Sequence, residues 1–283
     1  MDTMRTMAAT SGTGRPRGAT AIPGYKHLAS AGEMGYLAVN AAKAAFTPPY
    51  SWGRDFVVEC SQSIRRCLMP AILSITAFTF GLLVYYVAAI VAVLGTMDRL
   101  GGAMVVSFTR EIAVWVALMI LAGVAGSAMT ADLASRKIRD ELDALTVLGV
   151  DMMRSLVVPR ILALTIVAPI LGLVCLFTAL IAGFVTAPLV HPDFITHAAF
   201  LETMRAFTSI GELASMMAKM VLAGLIVGIV SCQKGLSSDG GAEGVGRAVN
   251  EAVLISFFAV WTVSIVGNTI FGTLFPAVHV LKG

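Results

Sequence analysis

Charged residues are scarce in this chain of 283 residues, where Asp, Glu, Lys and Arg together make up only 13%. Soluble domains average roughly 25% charged residues. Hydrophobic residues account for 57% of the sequence. Such a composition excludes an ordinary water-soluble globular protein and predicts an integral membrane protein.

Motifs for nucleotide and metal chemistry are also missing. No glycine is followed directly by lysine, which excludes the G-x-x-x-x-G-K-[ST] phosphate-binding loop. The four cysteines and four histidines are scattered without the spacing of metal ligands. We therefore expect no catalytic residue, no metal site and no cofactor bound by the chain itself.

Long apolar runs are what the sequence has instead. Four of them contain no Asp, Glu, Lys or Arg, and a fifth contains only Glu212 and Lys219. Each is long enough for the ~20 residues that cross a bilayer core as a helix. An all-α membrane protein with about five transmembrane helices is predicted, with its spans in 67–97, 112–131, 161–190, 206–233 and 252–281.

The positive charges predict the orientation. Segments 1–66, 132–160 and 234–247 hold eight, five and two of the Lys and Arg residues, which is 15 of 20. Because loops rich in Lys and Arg stay cytoplasmic, the N-terminus is expected inside and the C-terminus outside. This bias also accounts for the net charge of +3 without a nucleic-acid partner.

Three regions are predicted along the chain. Residues 1–33 lack an apolar core and suggest a disordered cytoplasmic tail. Residues 34–67 suggest amphipathic helices in the membrane interface, and one of them carries Trp52 and Phe56 four residues apart. Residues 68–283 form the transmembrane domain.

The uncharged run 161–190 is unusually long. Its 30 residues would extend ~45 Å as a straight helix, against a hydrocarbon core of ~30 Å. We expect this helix to tilt, to kink at Pro169, or to project beyond the bilayer.

Polar residues within or beside the spans are candidates for a substrate pathway. Arg110 and Glu111 begin the second span, Lys219 lies in the outer half of the fourth, and Asn268 lies in the outer half of the fifth. Ionisable groups in a membrane usually face protein or water. These four residues are therefore predicted to line a cavity, with anchoring at the headgroups as the alternative.

Small residues mark a helix-packing face in the second span. Gly123 and Ser127 are four apart, as are Ala122 and Gly126. Small residues at this spacing allow helices to approach closely in a membrane. The pattern predicts contacts of Gly123, Gly126 and Ser127, either within the monomer or across a dimer.

A charged helix is predicted over 136–148, between the second and third spans. Ile138, Leu142 and Leu145 form one apolar stripe, and Gly149 follows as a C-terminal stop. The stripe must be buried on the chain's own membrane domain or in a partner.

Two sequence blocks resemble the MlaE/YrbE family of ABC-transporter permeases. The first comprises GSAMTADL (126–133), RDELDALTVLGVD (139–151) and LVVPR (156–160). The second is CQKGLSSDGGAEGVGRAV (232–249), and Lys219 lies where the family often has a lysine upstream. The two blocks and the layout of the spans resemble the family over about 34–276. The long N-terminus and the pattern A-D-L-x-x-R-x-I-R-x-E over 131–141 are most similar to actinobacterial YrbE members that work with Mce proteins.

The resemblance implies an MlaE-like fold and a permease subunit that forms the pathway for membrane lipids in a bacterial inner (plasma) membrane. It implies a dimer, either a homodimer or one with a YrbE paralogue, and Mce/MlaD-type extracytoplasmic lipid-binding partners. ATP and Mg would bind separate ABC ATPase subunits. Docking of those subunits is expected at the helix bearing Arg139, Glu141, Leu142, Asp143, Ala144 and Leu145.

The sequence also departs from the family pattern. Asp140 stands where the docking motif usually opens with Glu, which preserves the charge. The segment AGVAG (122–126) lacks the arginine of the family's A-G-R-V-G, and REIAV (110–114) replaces R-E-L-G-P. These departures suggest a specialised or heterodimeric subunit.

Two other functions stay open. An ion-coupled secondary carrier would use Glu111, Glu212 and Lys219 to relay charge. A scaffold that anchors extracytoplasmic lipid-binding proteins would not transport at all.

Overall fold

A computed structural model describes residues 25–48, 52–191 and 195–274. Every regular element in these ranges is a helix, and five helices are long and apolar enough to cross a membrane. The prediction of an all-α membrane protein with five spans is confirmed. In chain order the helices are α1 (Tyr25–Phe46), α2 (Gly53–Val93), α3 (Met97–Ile138), α4 (Glu141–Val147), α5 (Met153–Val190), α6 (His197–Phe207), α7 (Ile210–Leu236) and α8 (Gly241–Leu274).

The helix α1 begins earlier than the sequence suggests. Residues 25–33 lie in it, although we predicted disorder over 1–33; residues 1–24 lie outside the described part of the chain. Leu37 and Ala41 of α1 are buried, and they belong to the same apolar cluster as Leu133 of α3 and Val158 of α5. The helix α1 therefore packs against the end of the bundle from which α4 emerges.

The second amphipathic segment is not a separate element. It forms the first part of α2, which continues through Pro70 to Val93. The missing N–H of a proline does not end a helix when the neighbouring turns keep their hydrogen bonds. No chain break therefore separates the predicted interfacial region, which ended at residue 67, from the first span.

The long apolar run forms one unbroken helix. The helix α5 covers 38 residues, or ~57 Å at 1.5 Å per residue, and it includes Pro169. It packs against α2 and α7. A Cβ built on Gly224 of α7 would lie only 2.7 Å from the Leu164 carbonyl oxygen of α5, so the two backbones touch at this crossing.

The single helix predicted over 136–148 is divided in the structure. The helix α3 ends at Ile138, and α4 begins at Glu141. Between them, Asp140 has a positive φ of 56°, which Asp tolerates better than most residues. This residue turns the chain, so Ile138 and Leu142 do not lie on one helix. Gly149 ends α4 with φ 77°, as predicted.

Candidate functional site

A buried polar cluster joins α3, α7 and α8. Two members, Arg110 and Glu111, lie on a wide turn of α3, the π-helical segment Phe108–Ile112. Wide turns of this kind often occur at functional sites because they displace backbone groups from the regular helix ladder. The cluster comprises Arg110, Glu111, Glu212, Lys219 and Asn268.

Glu212 holds the guanidinium of Arg110 with two-nitrogen geometry. Arg110 Nε lies 3.0 Å from Oε1 and 3.2 Å from Oε2, and Nη2 lies 2.5 Å from Oε1. The Glu212 side chain is only 5% exposed, and that of Arg110 is 29% exposed. Glu212 also lies in the first turn of α7, where the helix dipole stabilises a negative charge.

Lys219 lies two turns further along α7 and binds different partners. Its Nζ donates to the Arg110 carbonyl oxygen at 2.6 Å and to Asn268 Oδ1 at 2.6 Å. The amide of Asn268 in turn donates to Glu111 Oε1. Lys219 and Glu212 do not contact each other directly, as their spacing on one helix predicted.

The cluster leaves one buried acceptor without a hydrogen bond in the described part of the chain. This atom is Glu111 Oε2. The two acidic and two basic side chains have balanced formal charges, so the cluster carries no excess positive charge. It can therefore accept one hydrogen bond from a hydroxyl, an ammonium group or water more readily than it can hold an additional anion.

The four predicted pathway residues Arg110, Glu111, Lys219 and Asn268 are thus brought together. Their contact with a substrate stays a prediction. Sequence reasoning did not find Glu212 as the partner of Arg110, because the two residues are 102 positions apart. The signal available was that Glu212 and Lys219 are the charged residues that interrupt an otherwise apolar run.

The helix α4 separates buried from exposed residues. Leu142 is 5% exposed and attaches α4 to its own chain, whereas Asp143 and Ala144 are exposed and Glu141 and Leu145 are half-buried. Arg139 pairs with Glu141 at 2.9 Å across the turn. Two apolar side chains that we did not single out project furthest, since Val147 is 88% and Leu148 is 77% exposed.

The three predicted packing residues have different environments. Gly126 is buried, and a Cβ there would lie 2.9 Å from Ser231 Oγ of α7. Gly123 is exposed with no atom near its Cβ position, and the Ser127 hydroxyl donates to the Gly123 carbonyl oxygen at 2.5 Å. Gly126 therefore packs within the monomer, while Gly123 makes no such contact in this chain.

A second group of charges lies near α4, and we call it the four-residue ion network. Arg160 of α5 is 6% exposed at its side chain and bonds Glu59 of α2 at 3.0 Å between Nε and Oε1. Its Nη2 donates to Asp132 of α3, which also accepts from Arg136 Nε at 3.0 Å. The network joins three helices, and sequence reasoning did not predict it.

Comparison with known proteins agrees with the motifs. The family model described as permease MlaE matches residues 56–270. A probable ABC transporter permease protein of Synechocystis sp. is 33% identical over 59% of this chain and 63% of its own length. A probable ABC transporter permease protein of Rickettsia typhi is 32% identical over 54% of this chain and 58% of its own length.

A plant relative shows the same similarity at lower identity. The chloroplastic protein TRIGALACTOSYLDIACYLGLYCEROL 1 of Arabidopsis thaliana is 28% identical over 63% of this chain and 50% of its own length. The chain thus spans between half and two thirds of the length of these relatives.

Proposed function

Because this chain belongs to the MlaE permease family, we propose that it is the membrane subunit of an ATP-driven lipid transporter, with ATP hydrolysis on separate subunits. The observation that carries the proposal is the shape of α4. Buried Leu142 fixes this helix to the chain, while exposed Asp143, Ala144, Val147 and Leu148 present a small acidic and apolar surface. Such a surface suits the groove of a protein partner.

The polar cluster supports a lipid as the transported molecule. A lipid has an apolar body that fits among the exposed aliphatic side chains of the spans and a polar headgroup that needs hydrogen-bond partners. Glu111 Oε2 is buried and has no hydrogen bond within the described residues, so a headgroup hydroxyl or ammonium that reached the cluster would find an acceptor there. One relative carries the name of a glycolipid, which agrees with this choice.

The proposed assembly lies in the inner (plasma) membrane of a bacterium. It contains two ABC ATPase subunits that bind ATP and Mg, and a second permease subunit, either another copy or a YrbE paralogue. Mce/MlaD-type lipid-binding proteins would receive or supply lipid outside the membrane, on the side where we expect the C-terminus from the distribution of Lys and Arg. Gly123 is exposed, and no atom lies within 4 Å of a Cβ built on it. A helix of the second subunit could therefore pack closely against this part of α3.

Substitutions in α4 test the docking step. We expect Leu148→Asp and Glu141→Lys to abolish co-purification of an ATPase from native membranes, while the membrane domain keeps its thermal stability. Leu142→Asp is a poorer probe because it places a charge in a buried site. If either variant still co-purifies with an ATPase and transports lipid normally, this role for α4 is excluded.

Lys219→Met separates the proposal from the two alternatives. For the lipid pathway we expect the complex to assemble but to transfer less fluorescent phospholipid between vesicles at saturating ATP. An ion-coupled carrier predicts transfer that follows the proton gradient or membrane potential and does not respond to ATP. A scaffold predicts that Lys219→Met leaves lipid flux unchanged.

A further inference from the structure

The four-residue ion network connects the end of α3, from which the chain turns into α4, to α2, the first of the five spans. Asp132 and Arg136 lie in the last two turns of α3, and only Arg139 and Asp140 separate that helix from α4. The Arg139–Glu141 ion pair spans this link at 2.9 Å. A displacement of α4 is therefore passed to the end of α3 without a flexible loop to absorb it.

Arg160 is the central member of the network. Its guanidinium, which is planar and can hold two carboxylates in fixed directions, bonds Asp132 of α3 on one side and Glu59 of α2 on the other. The Arg160 side chain is 6% exposed, whereas those of Glu59 and Asp132 are 22% and 42% exposed, so water competes less for the bond to Glu59 than for the bond to Asp132. Removing Arg160 would take away the ion pairs that join α3 and α2 through α5 at this end of the bundle.

Glu59 belongs to a helix that reaches from this network into the membrane domain. The helix α2 has no break between Gly53 and Val93 and is among the less buried of the five spans. Apolar side chains such as Met69 and Leu73 are exposed along it. A shift at Glu59 therefore acts on the first turns of a helix that continues into this span through Pro70 and the π-helical segment Thr79–Val87.

We propose that Arg160 is a positioning residue that transmits movement of α4 to α2 through Asp132 and Glu59. This inference rests on the proposed function, because it takes an ATPase on α4 as the source of the movement. Without Arg160, ATPase subunits still dock on α4 and hydrolyse ATP, but the movement of α4 no longer displaces α2. The network has two acidic and two basic members, so its formal charges balance without a bound ion.

The test follows α2 directly in the complex purified from native membranes. A fluorophore sensitive to its surroundings is attached at Val57→Cys, whose side chain is 62% exposed, in a Cys60→Ser background. The complex is placed in vesicles of phosphatidylethanolamine and phosphatidylglycerol. Emission is recorded before and after ATP with vanadate, which traps ABC ATPases in their closed state.

We expect an emission change in the parent complex and a change at least about tenfold smaller in Arg160→Met and in Glu59→Leu, because each variant removes one partner of the hydrogen bond between Arg160 Nε and Glu59 Oε1. The double variant at Arg160 and Glu59 should show no smaller emission change than either single variant. Arg160→Lys should recover part of the change, since an ammonium keeps the charge but cannot hold two carboxylates in the same fork. ATP turnover should stay within about twofold of the parent, because α4 is untouched.

Glu251→Leu is the matched control. It breaks the ion pair between Lys234 of α7 and Glu251 of α8, which has a length of 2.8 Å, and lies outside the network. The control should keep the full emission change. If Arg160→Met does not fold, Glu59→Leu carries the test alone, since it removes the acceptor for Arg160 Nε and leaves the Arg160–Asp132 bond in place.

The possible failures are distinguishable. A parent complex that contains an ATPase but shows no emission change overturns the proposed transmission through Arg160, as does an unchanged response in the Glu59→Leu variant. A parallel loss of ATP turnover and emission, in proportion to lost thermal stability, assigns Arg160 a structural role only. A chain that purifies without any ATPase rejects the proposed function itself.

Discussion

Glu212 shows how a single side chain sets the environment of a charged neighbour in this protein. It is almost fully buried and bonds Arg110 through both oxygens. The arrangement satisfies the guanidinium where little water is available. The Arg110 guanidinium thereby has an acceptor within the bundle, while the Arg110 carbonyl oxygen accepts from Lys219.

Glu212→Leu should therefore destabilise the protein. We expect a loss of about 1–3 kcal/mol, the cost of leaving a charged group without its hydrogen bonds. The loss should be smaller than the ~3–5 kcal/mol of fully buried pairs, because the Arg110 side chain keeps 29% exposure. Unfolding in detergent measures the change.

The double variant Arg110→Met, Glu212→Leu is the control for this prediction. It removes both charges and should recover much of the lost stability. A double variant that is as unstable as the sum of the two single variants would contradict the assigned pairing.

At the residue scale, the sequence could identify the members of the polar cluster but not its pairs. Arg110, Glu111, Lys219 and Asn268 stand out because polar groups are costly in apolar helices. Which carboxylate meets which base depends on how α3, α7 and α8 rotate against one another. That rotation is set by the packing between helices, so it cannot be predicted from the spacing of residues within one helix.

At the element scale, the crossing of α5 and α7 depends on glycine. A Cβ on Gly224 would lie 2.6 Å from Ala168 Cβ and 2.7 Å from the Leu164 carbonyl oxygen. The carbonyl belongs to the α5 backbone, which cannot move away without shifting that helix. Close approach at this point keeps the two central spans in contact.

Gly224→Val should lower the stability by about 1–3 kcal/mol, the usual cost of forcing extra atoms into a packed interior. The matched control is Gly123→Val, which meets no atom within 4 Å in this chain. That substitution should stay within about 0.5 kcal/mol of the parent. Equal thermal losses for both variants in the detergent-solubilised monomer would refute the packing argument.

The boundary between α3 and α4 could not be predicted from the spacing of hydrophobic residues. The spacing of Ile138, Leu142 and Leu145 is typical of one helix, and the structure instead breaks the chain at Asp140. A charged residue with positive φ leaves no mark on the apolar pattern, because neighbouring positions keep the same spacing. In contrast, the five spans were predictable, since length and lack of charge decide membrane crossing.

At the scale of the whole molecule, the orientation predicted from the Lys and Arg bias stays to be measured. Two exposed apolar positions at opposite ends of spans serve this purpose. Val147 lies on α4 and is 88% exposed, and Leu94 follows α2 and is 69% exposed.

We expect a membrane-impermeant maleimide to label Leu94→Cys in intact spheroplasts and Val147→Cys only in inverted vesicles. Both variants carry Cys60→Ser, because Cys60 is half-buried and the other three cysteines are buried. The reverse labelling pattern would mean that the topology is inverted, with α4 on the side of the membrane opposite to cytoplasmic ATPase subunits.

The unbroken length of α5 has a consequence for the lipid around the protein. Its segment Val158–Val190 has 33 residues, or ~50 Å of helix against ~30 Å of hydrocarbon. Tilts rarely exceed ~40°, which still leaves the helix longer than the core. Phe177, Ile181, Val185 and Leu189 remain exposed along its second half. This hydrophobic mismatch favours a thicker bilayer, so reconstituted transport should increase with acyl-chain length; equal rates in thin and thick vesicles would mean that partner subunits, not lipid, cover this end of α5.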